Sequence, residues 1–316
     1  MSIWPMHPRP MPGEILSSWM VRLAHANRYK VQEFYTLYFG RERQIWNRDI
    51  DHLAPEWLLK GLSAQTGIQI EQLHSLSLRS FEGIVYEKFR EKTITRGLLP
   101  LGVYHRKRRN YGQQFCPLCL LEDEQAYLRK SWRIAFITTC EKHEVILHDR
   151  CEHCKQPMMP HRSDMTSKTG VPANIGIEFC GSCGKKFTDM DTIKATPDAI
   201  AFQRMIFDCI KDGFIWVANK PLYSFIFLEG IRVIIHGKAR IDGVREKYNF
   251  PKVEIEKCDV SLRHELLKDC WKLIDYWPLH FINFLSKHKR PYSTFISKNS
   301  EGFAPCWIDQ AIKSSF

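Results

Sequence analysis

Four closely spaced pairs of cysteine and histidine residues in the middle of the chain constrain its fold more than any other feature. In each pair, two residues separate two side chains that bind metals, which is the spacing of a zinc knuckle. Twenty residues separate the first pair from the second, seven the second from the third, and twenty-five the third from the fourth. The pairs are Cys116 and Cys119, Cys140 and His143, Cys151 and Cys154, and Cys180 and Cys183.

These eight side chains predict two structural zinc ions per chain. Sequential pairing of the knuckles gives a Cys₃His site followed by a Cys₄ site, whereas a cross-braced arrangement joins the first pair to the third and the second to the fourth. The spacing permits both arrangements, and we favour the sequential one. Neither leaves an open coordination position, so the zinc is expected to be structural. It would also stabilise a segment that has few contiguous apolar runs.

The remaining cysteine and histidine residues near these pairs are not expected to bind metal. The chain has eleven cysteines and no recognisable export signal. We therefore expect a reducing, cytoplasmic compartment in a bacterium, where CxxC pairs bind metal more often than they form disulfides. His148 and His153 lack the paired spacing. The lone cysteines are expected to be small buried or inert thiols; they are Cys209, Cys258, Cys270 and Cys306.

The length of the chain and the pattern of its apolar and turn-forming residues predict a mainly α-helical chain of three parts. The 316 residues suggest two or three domains. We expect an N-terminal helical domain over residues 1–110, a tandem zinc-binding domain over 111–195 and a C-terminal helical domain over 196–316. The 46 Lys and Arg residues exceed the 35 Asp and Glu residues, and this net charge of +11 favours contact with nucleic acid. No apolar run is long enough to span a membrane.

Apolar periodicity places helices in the N-terminal part after Pro12, over residues 31–39 and over residues 55–65. Residues 59–78 fit a helix-turn-helix with Gly67 in the turn, and they fit an ordinary helical hairpin equally well. The second of these helices has no Arg, Lys or Asn, so we do not expect it to read bases in a major groove.

The C-terminal part is also predicted to be helical. Thr196 and Pro197 are typical of a helix start, and Gly213 is typical of a helix end. Residues 221–236 are strongly apolar and are expected to be buried. Residues 261–277 predict a helix that Pro278 interrupts and that a shorter helix follows.

The densest basic run lies at residues 105–109. As a phosphate clamp, its guanidinium and ammonium groups would bind phosphate oxygens; a solvated interdomain linker explains the run as well. The candidate nucleic-acid contacts are Arg106, Lys107, Arg108 and Arg109.

Motifs typical of enzymes are not found. No phosphate-binding GxxxxGK[ST] loop occurs, and His264-Glu265 is followed by Lys268 where a metalloprotease helix has its second histidine. We therefore predict a protein without catalytic residues.

Several stretches resemble the TniQ/TnsD family of transposition proteins, over residues 5–185 and more weakly beyond. They are RPMPGEILSSW at residues 9–19, CPLCL with Glu122-Asp123 at 116–123, YLRKSWR at 127–133 and DRCEHC at 149–154. The resemblance implies an N-terminal helix-turn-helix region and tandem zinc motifs with the same eight ligands, and it supports sequential pairing. Trp132 and Arg133 lie between the two halves of the first site, where we expect Trp132 to pack in the core.

The resemblance also implies a role in choosing the target of DNA transposition. Members of the family link a target-recognition module to the transposon's AAA+ ATPase, of the TniB/TnsC kind, which then recruits the transposase. Some members bind an attachment site on DNA themselves. Others dock on a CRISPR effector complex with its guide RNA and can act as homodimers. The chain ends at residue 316, without the long C-terminal extension of attachment-site recognisers, and this favours the adaptor type.

Two other functions compete with the adaptor. The first is an independent, sequence-specific zinc-containing DNA-binding protein, which would bind selectively and with a steep salt dependence. The second is a zinc-dependent nuclease or hydrolase, which would need an open metal position that eight paired ligands do not offer.

Overall fold

A computed structural model describes residues 3–91, 94–104, 107–165, 176–244, 254–288, 295 and 304–313. In these residues the chain is mostly helical, as predicted, with short strands only. The helices of the N-terminal half are α1 Leu16–Ala26, α2 Val31–Phe39, α3 Ile50–Leu53, α4 Glu56–Thr66, α5 Ile70–Ser75 and α6 Pro117–Glu122. Those of the C-terminal half are α7 Pro197–Asp212, α8 Ser224–Ile241, α9 Val260–Ile274, α10 Leu279–His288 and α11 Cys306–Lys313.

Two antiparallel hairpins supply the strands of the described part. The first joins β1 Val103–Tyr104 to β2 Lys107–Arg108, and the second joins β3 Phe214–Val217 to β4 Lys220–Tyr223. Single turns of 3-10 helix lie at Ile45–Asn47, Leu78–Phe81, Lys130–Arg133, Pro160–Arg162 and Ile255–Lys257.

The N-terminal helices lie where their apolar periodicity places them. Helix α2 ends at Gly40, which has a φ of 78°. Helix α4 ends at Gly67, whose φ of 71° allows the chain to reverse into α5. The facing residues Leu62 and Leu73 are buried. Helices α4 and α5 therefore form the packed pair that the sequence predicts; the helix-turn-helix assignment itself stays a prediction.

The C-terminal helices begin and end at the predicted capping residues. The Thr196 hydroxyl accepts a hydrogen bond from the Ala199 amide at the start of α7, and Gly213 ends that helix with a φ of 77°. The apolar stretch at 221–236 is buried mainly where it forms α8. Its first residues belong to the exposed strand β4, which the periodicity did not predict.

One continuous hydrophobic cluster runs from Trp4 to Ile312 and crosses both predicted domain boundaries. The middle segment is therefore better packed than its lack of long apolar runs suggested. Two buried glutamines hold the stretch that leads into Cys140. Gln114 donates to the carbonyls of Trp132 and Ile137, and Gln203 of α7 accepts from the amides of Thr138 and Thr139; those four distances lie between 2.9 and 3.2 Å.

A buried arginine joins the N-terminal helices to the middle segment. Arg133 is 1% exposed, and its guanidinium lies 2.6 Å from the Asp49 carboxylate and 3.2 Å from that of Asp51. It also donates to the Leu99 carbonyl. Burial raises the pKa of Asp51 to about 6, while the Arg133 guanidinium outweighs burial at Asp49 and holds the pKa of that carboxyl below its ordinary value. One guanidinium thus compensates two buried carboxyl groups.

No described helix has the length and apolar character needed to cross a membrane.

Arg133→Ala should lower the free energy of unfolding by about 3–5 kcal/mol, because it leaves Asp49 and Asp51 buried without their counter-charge. Urea denaturation followed by circular dichroism measures the loss. The control is Arg204→Ala, which removes a surface ion pair with Glu144 and should cost about 0–1 kcal/mol. An equal loss of unfolding free energy in the two variants would show that the buried ion pairs of Arg133 contribute no more to stability than a surface ion pair.

Candidate metal centres

Three of the four ligand pairs fold into the same tight backbone turn. In each, the amide that follows the second ligand donates to the carbonyl of the first cysteine, at 2.8–2.9 Å. The amide of that cysteine then donates back to a carbonyl five residues on, at 2.8–3.0 Å. The residue after the second ligand has a positive φ in every case: 56° at Glu144, 57° at Lys155 and 73° at Gly184. This turn points both ligand side chains to one side.

The first pair is built differently. Cys116 precedes α6 as its N-cap residue, Pro117 opens the helix, and Cys119 lies within its first turn. Helical spacing brings the two sulfurs to the same end of α6. The backbone of Phe115 exchanges two hydrogen bonds of 2.8 and 2.9 Å with that of His148, which fixes α6 beside the second knuckle.

The first and second pairs come together as one group of four donors. The Nδ1 atom of His143 lies 3.5, 3.4 and 3.5 Å from the sulfurs of Cys116, Cys119 and Cys140, and the sulfurs of Cys119 and Cys140 are 3.4 Å apart. Tetrahedral zinc with Zn–S of about 2.3 Å and Zn–N of about 2.05 Å puts sulfur and nitrogen about 3.5 Å apart and two sulfurs about 3.8 Å apart. The Cys₃His group therefore fits a tetrahedral metal ion.

The third and fourth pairs form the second group. The sulfurs of Cys151 and Cys183 are 3.7 Å apart, and those of Cys154 and Cys180 are 3.6 Å apart, close to the tetrahedral separation. Cys183 is exposed, so this group lies nearer the surface than the first. The structure thus has the sequential arrangement of ligand pairs.

Burial makes two of the metal-free thiols of the second group weaker acids than an ordinary cysteine. It raises the pKa of Cys151, and it raises the pKa of Cys154 to about 12. Neutral thiols must lose their protons before they bind a cation, so metal binding releases protons and low pH opposes it.

A carboxylate outside the first group orients its histidine. Glu122, at the end of α6, lies 2.9 Å from Nε2 of His143 and 2.7 Å from the Lys142 ammonium group. The hydrogen bonds from Lys142 and His143 hold the pKa of Glu122 below its ordinary value. A charged acceptor at Nε2 keeps the proton on that nitrogen and leaves Nδ1 free to bind a metal. In the sequence Glu122 stands out only for the family resemblance, and nothing near it indicates this contact with His143, 21 residues away.

The other histidine and cysteine residues of the described part of the chain lie outside both groups. The His148 ring stacks on Phe115, and His153 is exposed beside Glu152. Among the lone cysteines, Cys209, Cys258 and Cys270 are buried, as expected. Cys306 is exposed, so only the expectation of an inert thiol applies to it, and that stays a prediction.

The β1–β2 hairpin exposes some basic side chains of the predicted phosphate clamp and half-buries another. Lys107 and Arg109 are exposed, whereas Arg108 is half-buried and donates to the Met158 carbonyl at 2.8 Å. Burial lowers the pKa of Arg108 to about 10. Arg106 lies outside the described residues. A nucleic-acid contact by this run remains a prediction. The exposed side chains of Lys107 and Arg109 would make it.

Comparison with known proteins adds one match. Residues 5–147 match the family model described as TniQ. This match supports membership of the TniQ family. The TniQ domain contains helices α1–α6 and the whole Cys₃His group, whereas the Cys₄ group and the C-terminal helices lie beyond the match. A comparison with curated protein sequences finds no match. TniQ proteins are accessory proteins of transposition without a catalytic role, and the domain indicates a role in target selection.

The TniQ chain should purify with two zinc ions, one in each group. Cys119→Ser and Cys154→Ser should each lose one ion, because each removes a ligand from a different tetrahedral set. Elemental analysis against protein concentration measures the stoichiometry. Cys306→Ser removes an exposed lone thiol and should keep both ions. A wild-type chain that folds with no bound metal would contradict this prediction.

Glu122→Gln should weaken metal binding at the Cys₃His group by about 10–100-fold, because His143 loses its charged hydrogen-bond acceptor. Competition with a coloured chelator resolves the two ions. The matched control is Glu141→Gln, an exposed neighbour of the same charge. The Cys₄ group should hold its metal equally in all three proteins, and a uniform loss from both groups would instead indicate a general defect in folding.

Proposed function

We propose that this TniQ-family chain is a non-enzymatic adaptor that links a target-recognition module to the AAA+ ATPase of a transposon. The observation that carries the proposal is the TniQ domain over residues 5–147, with a metal group of four protein donors inside it. Four donors complete a tetrahedral shell, so a bound ion would hold structure and would not activate water.

The contacts between the two halves of the chain support a bridging role. Beyond the Gln203 contacts, Arg263 of α9 donates to Gln114 at 2.6 Å and the Val260 amide donates to Asp149 at 2.9 Å. On the other side of the core, Arg96 pairs with Glu229 of α8 at 3.0 Å. A partner bound to the TniQ domain would thus be held at a defined position relative to a partner bound to the C-terminal helices.

The partners we propose are those of the adaptor type. They are a TniB/TnsC-like ATPase, DNA, a CRISPR effector complex with its guide RNA as the recognition module, and a second copy of the chain. Gln69, Glu71 and Gln72 are exposed at the start of α5, and the helix has no Lys or Arg. This helix is poorly suited to read bases alone, which favours the adaptor over an independent sequence-specific DNA-binding protein.

A pull-down with the purified, metal-loaded chain tests the proposal. The baits are an AAA+ ATPase and a CRISPR effector complex, taken from the genes beside its own where these encode them, each alone and both together. The adaptor should retain the ATPase and should connect it to the recognition complex when both are present. Retention of neither by a folded chain would contradict the proposal. Tight binding to one DNA sequence without any protein partner would support the alternative.

A further inference from the structure

The chain folds back on itself after α2 and leaves an open groove. Gly40 ends the helix, residues 41–44 run outside it, and the buried side chains of Ile45 and Trp46 return the chain to the core. The groove has a volume of about 680 Å³. Its wall on one side is α2 and on the other the loop that contains Arg41 and Arg43.

The loop concentrates positive charge around one acidic residue, Glu42, which lies between Arg41 and Arg43. Arg41, Arg43 and Arg48 are exposed, and within the described residues none of the three forms an ion pair. Between residues 28 and 48 the chain has five basic and two acidic side chains. Glu33 is the one carboxylate among the described residues that line the groove, against two arginines.

Hydrogen-bond donors line the rest of the groove. The amide side chains of Gln32, Gln44 and Asn47 lie along it, and Asn47 donates to Gln44, which orders that pair. A ligand rich in acceptor oxygens would match these donors.

One of the arginines is held in place before any ligand arrives. The Arg43 guanidinium lies 4.8 Å from the centre of the Trp57 ring, which limits the rotamers of a long side chain. The same contact covers that face of Trp57, while Trp46 is buried between His161 and Tyr35. No described aromatic ring in the groove therefore presents an open face on which an unpaired base could stack.

We propose that this arginine groove, lined by Arg41 and Arg43 and extended by Arg48, binds the phosphodiester backbone of duplex DNA. Guanidinium groups bind phosphate oxygens through paired hydrogen bonds, and such contacts position a protein on DNA without reading its sequence. The absence of stacking faces favours a duplex over a single strand. The surface adjoins the hairpin that carries the basic run, since Asn47 and Arg48 line a second cavity together with Gly102 and Val103. DNA contact at the groove stands whether or not the chain also holds an ATPase.

Fluorescence anisotropy with a short, mixed-sequence DNA duplex tests the proposal on the full-length, metal-loaded chain. Arg41→Gln with Arg43→Gln should lower affinity about tenfold, and should reduce the slope of log K against log salt by about 1.8, since each phosphate contact contributes about 0.9. Arg41→Lys with Arg43→Lys keeps the charge, so its slope should stay near that of the wild type while its affinity falls less.

The matched control removes the same charge from another surface. Lys211 and Lys220 are exposed near the β3–β4 hairpin, and Lys211→Gln with Lys220→Gln should leave both affinity and slope nearly unchanged. Equal losses in the control would show that only overall charge matters, which overturns the proposal. No duplex binding by the wild type, or tighter binding of single-stranded DNA, overturns it as well. The ATPase pull-down is read separately, so failure here leaves the adaptor proposal standing.

Discussion

The crowding of eight sulfur and nitrogen donors into two groups is the constraint on which the rest of this structure depends. Thiolates so close together repel one another. Without metal, burial raises the pKa values of Cys151 and Cys154, which keeps their thiols protonated and neutral. A divalent cation removes the repulsion and can contribute about 10–16 kcal/mol in small domains. A whole domain is commonly stable by only about 5–15 kcal/mol. An ion bound in each group would therefore contribute to the middle segment a free energy of the same order as the stability of a whole domain.

The consequences of metal binding reach beyond the knuckles. The segment before Cys140 is held by Gln114 and Gln203, and Gln114 in turn accepts from Arg263 of α9. Between the two metal groups, Asp149 accepts from the first amide of α9. Each of these buried polar groups has its partner on a different part of the chain, so displacement of one segment leaves unsatisfied groups on another. Loss of metal is thus expected to loosen the C-terminal helices as well as the knuckles.

Local signals in the sequence predicted much of this architecture. Pair spacing identified the ligands because a knuckle is a short, local turn, and α7 was bounded by its own capping residues, Thr196 and Gly213. The contacts that could not be predicted are long-range. Nothing near Arg133 indicates that Asp49, 84 residues away, lies against its guanidinium. The β3–β4 hairpin was missed because its strands are only four residues long and one contains a proline.

Because long-range contacts could not be predicted, the density of basic residues along the chain did not indicate which of them lie on the surface. A guanidinium has five donors and can bind an internal carboxylate or carbonyl as well as an external phosphate. Arg133 and Arg263 are almost wholly buried, and half-buried Arg108 donates to a backbone carbonyl, so all three hold the fold together. Arginines in sparser stretches, such as Arg41, remain exposed. What distinguishes the two sets is burial, which depends on the tertiary structure, and only the exposed set can meet an external anion.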